Sequence, residues 1–366
     1  MNPNYVLDGH KLPWHMDRVE AWQWGERIAP ITMDVAWTTA CNYHCEFCAA
    51  AFQTGQRTSI PTERIKLFLE DAAEIGVKAI VTMSDGESTL HPYWAESIRY
   101  GKALGMDMAA ASNGYMLVPE LAAKALPHLT YLRINFAAGE PKRYAEIMGV
   151  QESWYYRVKS NIAHMVEQKR KYGDEVTLNM NMVCHPKDAD QILPFARLAK
   201  SLGVDYAIIK HCMDFEGKIE GVSAGEYERL APLLDEAESL SEDGFLVTAK
   251  HRMMAMRGRD APPYCYGPNF LLQMSGTCLI GACGPLFGPQ YAERYHIGNI
   301  IEIRFRDLFY SDRYMEVMNY LRSDHFAEHR VCRRYLCVQR HMNEALCESK
   351  GYFAAAGPEP EHVNFV

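Results

Sequence analysis

The sequence has no excess of basic charge, no long apolar run and no targeting signal at its start. Its 366 residues have a formal net charge of −8 without a strong basic patch, which argues against a nucleic-acid duplex as the main partner. No stretch of about eighteen apolar residues occurs, so we expect no membrane-spanning segment. Residues 1–10 contain neither a basic region nor an apolar run. We therefore expect a cytoplasmic protein with neither a nucleic-acid nor a membrane partner.

The chain is nevertheless rich in cysteine, of which it has 11. In a reducing compartment such thiols are expected to bind metal rather than to form disulfides. The length exceeds that of one typical domain, and 48% of the residues are hydrophobic, so a large core is available.

The most informative motif is the run Cys-Asn-Tyr-His-Cys-Glu-Phe-Cys, which contains Cys41, Cys45 and Cys48. It follows a strand-like stretch, residues 31–37. A structural zinc site usually has four ligands in two close pairs, and three cysteines in one loop fit that arrangement poorly. Three thiolates on a four-iron cubane leave one iron without a protein ligand, and this iron can bind a small molecule. Three buried thiols without a metal are the alternative interpretation.

From residue 31 to about residue 214, short apolar runs alternate with amphipathic helical stretches, a pattern typical of strand–helix units with a parallel sheet. One predicted helix, 61–75, begins after a proline and ends before Gly76, which are both helix boundary signals. Six units are fewer than the eight of a closed barrel. The six predicted strands are 35–37, 79–83, 106–110, 131–136, 176–183 and 206–210.

The pattern Cys-x3-Cys-x-aromatic-Cys after a first strand resembles the signature of the radical S-adenosylmethionine (radical SAM) superfamily. The resemblance implies an α/β fold, a partial (β/α)6 TIM-like barrel, in which Cys41, Cys45 and Cys48 ligate a [4Fe-4S] cluster. It further implies that the open iron binds S-adenosyl-L-methionine, and that an external one-electron reductant of the flavodoxin or ferredoxin type drives its cleavage to a 5′-deoxyadenosyl radical.

The same resemblance assigns residues to the cosubstrate. Members usually have Gly-Gly-Glu at the end of the second strand, whereas Asp85 replaces the first glycine here. Read without the resemblance, Asp-Gly-Glu and Asn-Gly are turns, and an asparagine on the fourth strand is a hydrogen-bonded core residue. The residues expected to bind S-adenosyl-L-methionine are Phe47, Gly86, Glu87, Ser112, Asn113 and Asn135.

A second cysteine set follows in a segment rich in glycine and short strand pairs. Two cysteine pairs brought to one point form a four-thiolate site, which suits zinc or saturates an iron–sulfur cubane. The segment resembles the SPASM module or its shorter twitch form, which implies one fully ligated auxiliary [4Fe-4S] cluster. The four expected ligands are Cys265, Cys283, Cys332 and Cys337, and the spare cysteines are Cys278 and Cys347.

These observations predict four parts of the chain. They are an N-terminal extension at 1–30, the radical SAM partial barrel with its following helix at 31–241, the SPASM/twitch auxiliary iron–sulfur domain at 242–350 and a tail at 351–366.

Several polar and thiol side chains follow predicted strands, where barrel residues approach the mouth of an active site. Cys184 and Cys212 are candidate hydrogen donors for an epimerisation, or else inert buried residues. Lys210, His211 and Asp214 form a polar cluster that could hold substrate hydroxyls or move a proton.

Arg133 on the fourth strand could bind a carboxylate of the substrate or cosubstrate, or be a salt-bridged barrel residue.

The leading functional hypothesis is a radical SAM oxidoreductase that acts on a small-molecule substrate, a polar sugar-like or aminocyclitol-like metabolite, by oxidation, dehydration or epimerisation. The first alternative is a SPASM-type peptide-modifying enzyme. Peptide-modifying relatives often carry a leader-binding domain of roughly eighty residues, whereas only about thirty residues precede the first strand, which favours the small substrate. The second alternative is a non-catalytic iron–sulfur or zinc protein.

Overall fold

The computed structural model describes residues 4–7, 9–48, 57–173, 175–213, 222–256, 259–329, 331–332, 339–354 and 356–366, and the structural statements below concern these residues. The strands are β1 Thr32–Val35, β2 Ala79–Thr82, β3 Asp107–Ser112, β4 Tyr131–Asn135, β5 Thr177–Cys184, β6 Tyr206–His211, β7 Leu246–Ala249, β8 Leu271–Met274, β9 Leu279–Gly281 and β10 His296–Asn299.

Each strand from β1 to β6 is followed by one or two α-helices, and the last four helices follow one another without a described strand between them. The α-helices are α1 Met16–Gln23, α2 Thr62–Ile75, α3 Trp94–Ala103, α4 Pro119–Ala125, α5 Pro141–Met148, α6 Glu152–Tyr172, α7 Ile192–Leu202, α8 Ala224–Glu228, α9 Ala231–Glu238, α10 His251–Ala255, α11 Ala292–Tyr295, α12 Phe305–Tyr310, α13 Asp312–Leu321, α14 Asp324–His329 and α15 Arg340–Ser349.

All ten strands belong to one sheet, in the order β10-β9-β8-β1-β2-β3-β4-β5-β6-β7. Neighbours from β8 to β7 are parallel, and β9 and β10 are antiparallel. The partial barrel and the six predicted strands are confirmed. The sheet is nevertheless longer than expected, because β7 pairs with β6 and β8 pairs with β1. Both added strands come from segment 242–350, so one continuous sheet crosses the expected boundary; the division into domains stays a prediction.

Local sequence signals explain where the helices end. Helix α2 follows Pro61 and stops at Gly76, whose φ of 94° lies in the left-handed region that glycine adopts at little cost. The segment 224–240 holds two helices, α8 and α9, and a proline sits in the first turn of α9. Among the described residues, no helix is long and apolar enough to cross a bilayer.

Side chains of each strand alternate between two environments. One set packs under the outer helices in the main hydrophobic core, as Met33, Ile80 and Leu132 do. The other set points into the barrel, where Val81 and Tyr131 belong to a separate small cluster. The barrel interior is therefore a distinct compartment.

Residues near the end of the sequence cover the amino ends of the strands. The Thr32 hydroxyl donates a hydrogen bond to the carbonyl oxygen of Asn364 (2.7 Å), and the rings of Phe365 and Tyr131 are in contact, with centroids 4.9 Å apart. The Lys11 ammonium donates to the carbonyl oxygen of Phe365 (3.0 Å). Within the ranges that the structure describes, a ligand of the barrel interior therefore has its open approach at the carboxyl ends of the strands.

Candidate active site

The loop after β1 brings the three cysteines of the first motif together. Cys41, Cys45 and Cys48 are all half-buried. Burial raises the pKa of Cys41 to about 11 and raises the pKa of Cys45 still further, and repulsion between the neighbouring thiols acts in the same direction. Because thiols that face one another in this way resist ionisation, a cationic metal centre is the partner that would hold them as thiolates. Three sulfur donors around one point suit an iron–sulfur cluster with one open iron, and the ligand assignment stays a prediction.

The carboxyl end of α5 fixes the backbone of this loop. The amides of His44 and Glu46 donate to the carbonyl oxygens of Met148 (3.3 Å) and Ile147 (3.1 Å), which are orphan acceptors of the last helical turn. Gly149 ends the helix at φ 62°, and a Cβ there would lie 2.2 Å from the carbonyl oxygen of His44. The loop and the helix therefore pack backbone against backbone.

Gly86 packs equally closely against the start of the cysteine loop. Its φ is 81°, and a Cβ would lie 2.2 Å from the carbonyl oxygen of Thr38 and 2.9 Å from that of Ala40. The next residue, Glu87, donates its amide to Ala40 (2.8 Å). The glycine in the Asp-Gly-Glu run is thus required by a close approach of two backbones.

The buried carboxylate of Glu87 connects the ends of β2 and β3. It accepts hydrogen bonds from the hydroxyl of Thr89 (2.6 Å), the hydroxyl of Ser112 (2.9 Å) and the amides of Thr89 (3.2 Å) and Asn113 (2.7 Å). Burial raises the pKa of Glu87, and these four donors act against that rise. Asn113 also donates its side-chain amide to Asn42 (2.8 Å) in the cysteine loop. Glu87 therefore organises the edge of the barrel next to the three thiols.

The other residues expected at the cosubstrate lie around the same barrel mouth. Asn135 accepts a hydrogen bond from the side chain of Asn181 (2.9 Å), its partner in the β4–β5 register. Phe47 is half-buried and packs against the main core. Their roles stay predictions.

The candidate hydrogen donors Cys184 and Cys212 are fully buried in the main hydrophobic core. The hydroxyl of Tyr227 links their strand ends, because it donates to the carbonyl oxygen of Cys184 (2.8 Å) and accepts from the amide of Cys212 (2.7 Å). Burial raises the pKa of Cys184. Both thiols thus lie where an inert structural cysteine is usual.

A cavity of about 220 Å³ lies inside the barrel, and we call it the barrel cavity. Lys210 and His211 line it, together with Arg133 and Asp34. Burial, and to a smaller extent repulsion by the nearby cation Arg133, lower the pKa of Lys210 to about 7. Burial raises the pKa of Asp34 to about 6. The third member of the predicted polar cluster, Asp214, lies outside the described residues.

Two of the four expected auxiliary ligands, Cys265 and Cys332, lie near the side chain of Tyr295, and Cys283 lies near its backbone. Burial raises the pKa of Tyr295, and charges on Cys332 and Cys265 would add to the rise, which places both thiols near its hydroxyl. Cys283 follows Ala282, whose amide donates to the carbonyl oxygen of Tyr295 (3.0 Å). The donor set suits a four-thiolate cluster, whose fourth expected ligand, Cys337, lies outside the described residues.

The two spare cysteines lie in different surroundings. Cys278 sits in the turn between β8 and β9 at φ 70°, and burial raises its pKa to about 11. The thiol of Cys347 contacts the carbonyl oxygen of Tyr264 (3.8 Å).

Two features of the site escaped the sequence reasoning. Asp34 faces the barrel cavity and accepts a hydrogen bond from the Gln273 side chain (3.2 Å). The sequence signal that could have located it is a lone carboxylate in an apolar strand, because burying a charged group costs free energy unless it has a partner. Asp85 accepts hydrogen bonds from the hydroxyl of Ser275 (2.6 Å) and the amide of Gly276 (2.9 Å). No sequence pattern relates residues 190 positions apart in this way.

Comparison with known proteins agrees with this geometry. Residues 35–205 match the family model of the Radical SAM superfamily. An AdoMet-dependent heme synthase of Methanosarcina barkeri is 25% identical over 296 residues, which cover 75% of this chain and 81% of the relative. A probable GTP 3′,8-cyclase of Sulfolobus acidocaldarius is 29% identical over 170 residues, which cover 46% of this chain and 51% of the cyclase.

Solved structures share the fold at low sequence identity. Streptococcus suis SuiB bound to S-adenosylmethionine superposes with a TM-score of 0.63 at 16% identity, over 82% of this chain and 71% of SuiB. Native anSMEcpe with bound AdoMet and Kp18Cys peptide superposes with a TM-score of 0.59 at 14% identity, over 86% of this chain and 88% of anSMEcpe. Both neighbours are SPASM-domain radical SAM enzymes, and the likeness extends beyond the residues that the family model covers. A radical SAM enzyme uses a [4Fe-4S] cluster and S-adenosylmethionine, and residues 35–205 of this chain form a segment of the radical SAM superfamily.

Proposed function

We propose that this protein modifies a peptide by removing a hydrogen atom from one residue, whose side chain enters the barrel cavity. The observation that carries the proposal is the barrel cavity itself, about 220 Å³ in size and covered at the amino ends of the strands. Such a volume takes one side chain rather than a folded partner. The peptide alternative also has more support from the comparisons than the sugar-like metabolite, since SuiB has been solved with its precursor peptide SuiA and anSMEcpe with a bound peptide.

When bound, S-adenosylmethionine and its cluster supply the 5′-deoxyadenosyl radical. The residues of this chain hold and orient the reactants around that chemistry. Cys41, Cys45 and Cys48 ligate the cluster, and Gly86 lets the backbone after β2 approach the cysteine loop. Glu87 keeps the ends of β2 and β3 in place through its four hydrogen bonds.

An auxiliary [4Fe-4S] cluster belongs to the same proposal. Cys265 and Cys332 lie near the side chain of Tyr295, Cys283 lies near its backbone, and Cys337 completes the set. A cluster with four protein thiolates has no open iron, so its role is electron transfer or structural support rather than substrate binding. An external one-electron reductant of the flavodoxin or ferredoxin type supplies the electron that starts turnover.

A second candidate is a small polar metabolite that fills the barrel cavity by itself. The charged lining favours it, since Arg133, Lys210 and Asp34 suit a free polar molecule.

Anaerobic reconstitution tests the enzyme reading. We expect about eight irons per chain in two cubanes, and 5′-deoxyadenosine after reduction in the presence of S-adenosylmethionine. Cys45→Ala should abolish 5′-deoxyadenosine formation. Cys278→Ala is the matched control, because this buried thiol lies outside both expected ligand sets, and it should keep the activity. Bound zinc without cleavage of the cosubstrate would overturn the proposal.

The substrate class is tested by supplying two pools to the reconstituted enzyme. One pool holds short peptides encoded next to its gene, and the other holds metabolites below about 1 kDa. The peptide proposal predicts a mass change in a peptide, with deuterium transfer from the labelled residue to 5′-deoxyadenosine. Transfer only from a small metabolite would establish the second candidate instead.

A further inference from the structure

The barrel cavity carries more positive than negative charge. Asp34 is the acidic side chain among its described lining residues. Four cationic side chains line it as well: Lys11, Arg133, Lys210 and Lys250. Lys11 is occupied, because its ammonium donates to the carbonyl oxygens of His362 (2.7 Å) and Phe365 (3.0 Å).

Arg133 and Lys210 stand out within this set. They come from β4 and β6, on either side of β5. The two cations repel each other: burial is the larger cause of the lowered pKa of Lys210, and the charge of Arg133 is the next. In the described part of the chain neither cation forms an ion pair with a carboxylate. Asp34 attracts both, and its own hydrogen bond goes to Gln273.

Two cations held together in a buried space cost free energy, because charge is poorly solvated there and like charges repel. A fold that keeps such a pair usually has an anionic partner for it. The guanidinium of Arg133 offers a planar fork that matches a carboxylate, and the ammonium of Lys210 is a compact second charge. Both line the barrel cavity.

We propose that Arg133 and Lys210 together bind a carboxylate of the substrate and so position the substrate below the radical-generating site. This inference rests on the proposed function and narrows its substrate to carboxylate-bearing molecules. The carboxylate is the side chain of an acidic residue in a peptide or belongs to a free small acid. Lys250 adds positive charge from the strand end next to Lys210.

Binding of defined probes to the reconstituted enzyme, saturated with S-adenosylmethionine, tests the inference by calorimetry. The probes are N-acetylglutamate amide for a peptide-borne carboxylate, glutarate for a free acid, and N-acetylglutamine amide as the neutral isostere. We expect at least one acid to bind about tenfold or more tightly than the glutamine analogue. Preference for the blocked glutamate indicates the peptide source, and preference for glutarate indicates the free acid.

Three variants change the charge of the barrel cavity, and a charge-based site predicts whether each one weakens or strengthens acid binding. Arg133→Gln and Lys210→Met should each weaken acid binding about tenfold or more. Asp34→Asn removes the competing carboxylate while it keeps an acceptor for Gln273, so acid binding should become several-fold tighter. If Lys210→Met fails to fold, Asp34→Asn still decides the question.

The matched control is Arg99→Gln on α3, an exposed arginine whose partner is Glu96, and it should leave acid binding unchanged. Equal binding of glutamate and glutamine analogues, or unchanged binding in all three cavity variants, would overturn the inference. Acid binding that occurs only without S-adenosylmethionine would also overturn it, because the two cations would then hold the carboxylate of the cosubstrate. Formation of 5′-deoxyadenosine is scored separately, so loss of the proposed function and loss of this carboxylate site give different results.

Discussion

Asp85 provides a test of how the segment after β2, which contains Gly86 and Glu87, is joined to the turn between β8 and β9. Its buried carboxylate accepts hydrogen bonds from the Ser275 hydroxyl (2.6 Å) and the Gly276 amide (2.9 Å), in the turn between β8 and β9. A Cβ on Gly276 would lie 2.4 Å from the carbonyl carbon of Thr38, so this turn also presses on the start of the cysteine loop.

Asp85→Ala leaves two buried donors without their acceptor. Each such group costs about 1–3 kcal/mol, so we expect the variant to lose roughly 2–6 kcal/mol of unfolding free energy. Asp85→Asn behaves differently. Burial raises the pKa of Asp85 despite its hydrogen bonds, so the ionised form carries a net penalty. The asparagine removes that penalty and still offers an oxygen to Gly276, so its stability should lie within about 1 kcal/mol of the parent.

Urea unfolding of the reconstituted protein, followed by tryptophan fluorescence, measures both changes. Glu96→Ala is the control, since it removes an exposed pair with Arg99 and should cost no more than about 0.5 kcal/mol. An alanine variant of Asp85 as stable as that control would refute the argument. So would an asparagine variant as unstable as the alanine one, because charge rather than hydrogen bonding would then hold the turn.

Three further predictions concern neighbouring parts of the barrel. Gly86→Ala should reduce iron loading and cost about 2 kcal/mol or more, because φ is 81° and the new methyl would meet backbone at 2.2 Å; iron analysis and urea unfolding measure this. Tyr227→Phe should cost about 1–3 kcal/mol in the same unfolding assay, because a carbonyl at the end of β5 and an amide after β6 lose their partner. Lys210→Met should be more stable than the parent by on the order of 2 kcal/mol at pH 6, and unfolding across pH 6–10 checks that the difference shrinks as the pH rises. The variant is the more stable protein at low pH because burial lowers the pKa of Lys210 to about 7, which means that the charged form is penalised in the fold. This penalty disappears as the pH rises from 7 toward the pKa of the lysine in the unfolded chain.

Local patterns predicted most of the barrel. Alternating apolar runs located the first six strands, and Pro61 and Gly76 located the ends of α2, because these signals depend on neighbours in the sequence. Strand β7 escaped prediction because its four residues carry a weak pattern, and their place in the sheet is set by pairing with β6. The parallel pairing of β8 with β1 joins residues about 240 positions apart, and no local signal encodes it.

The candidate site residues were selected from the sequence in two ways. A compact motif drew attention to Cys41, Cys45 and Cys48, whereas Gly86 and Glu87 were selected through the family resemblance, because Asp-Gly-Glu alone is simply a turn. The functions of single polar residues on strands depend on which neighbours the barrel places opposite them. Arg133 was open to three interpretations from sequence alone, and the structure adds that it shares a cavity with Lys210 and Asp34.

The charges in the barrel cavity bear on how a substrate is held rather than on how the radical is made. The thiols and the Gly86–Glu87 run lie at the carboxyl ends of the strands, and the Arg133–Lys210 pair lies inside the barrel that they border. A substrate anchored by a carboxylate in the cavity would present its neighbouring carbons toward the thiols, because the amino ends of the strands are covered by residues 362–366. Anchoring of this kind selects a carbon by its distance from the charge, since a hydrogen atom is removed only where the reacting atoms are held close together. Moving the carboxylate by one methylene, from a glutamate to an aspartate probe, should therefore change the site of deuterium transfer or stop transfer while acid binding persists.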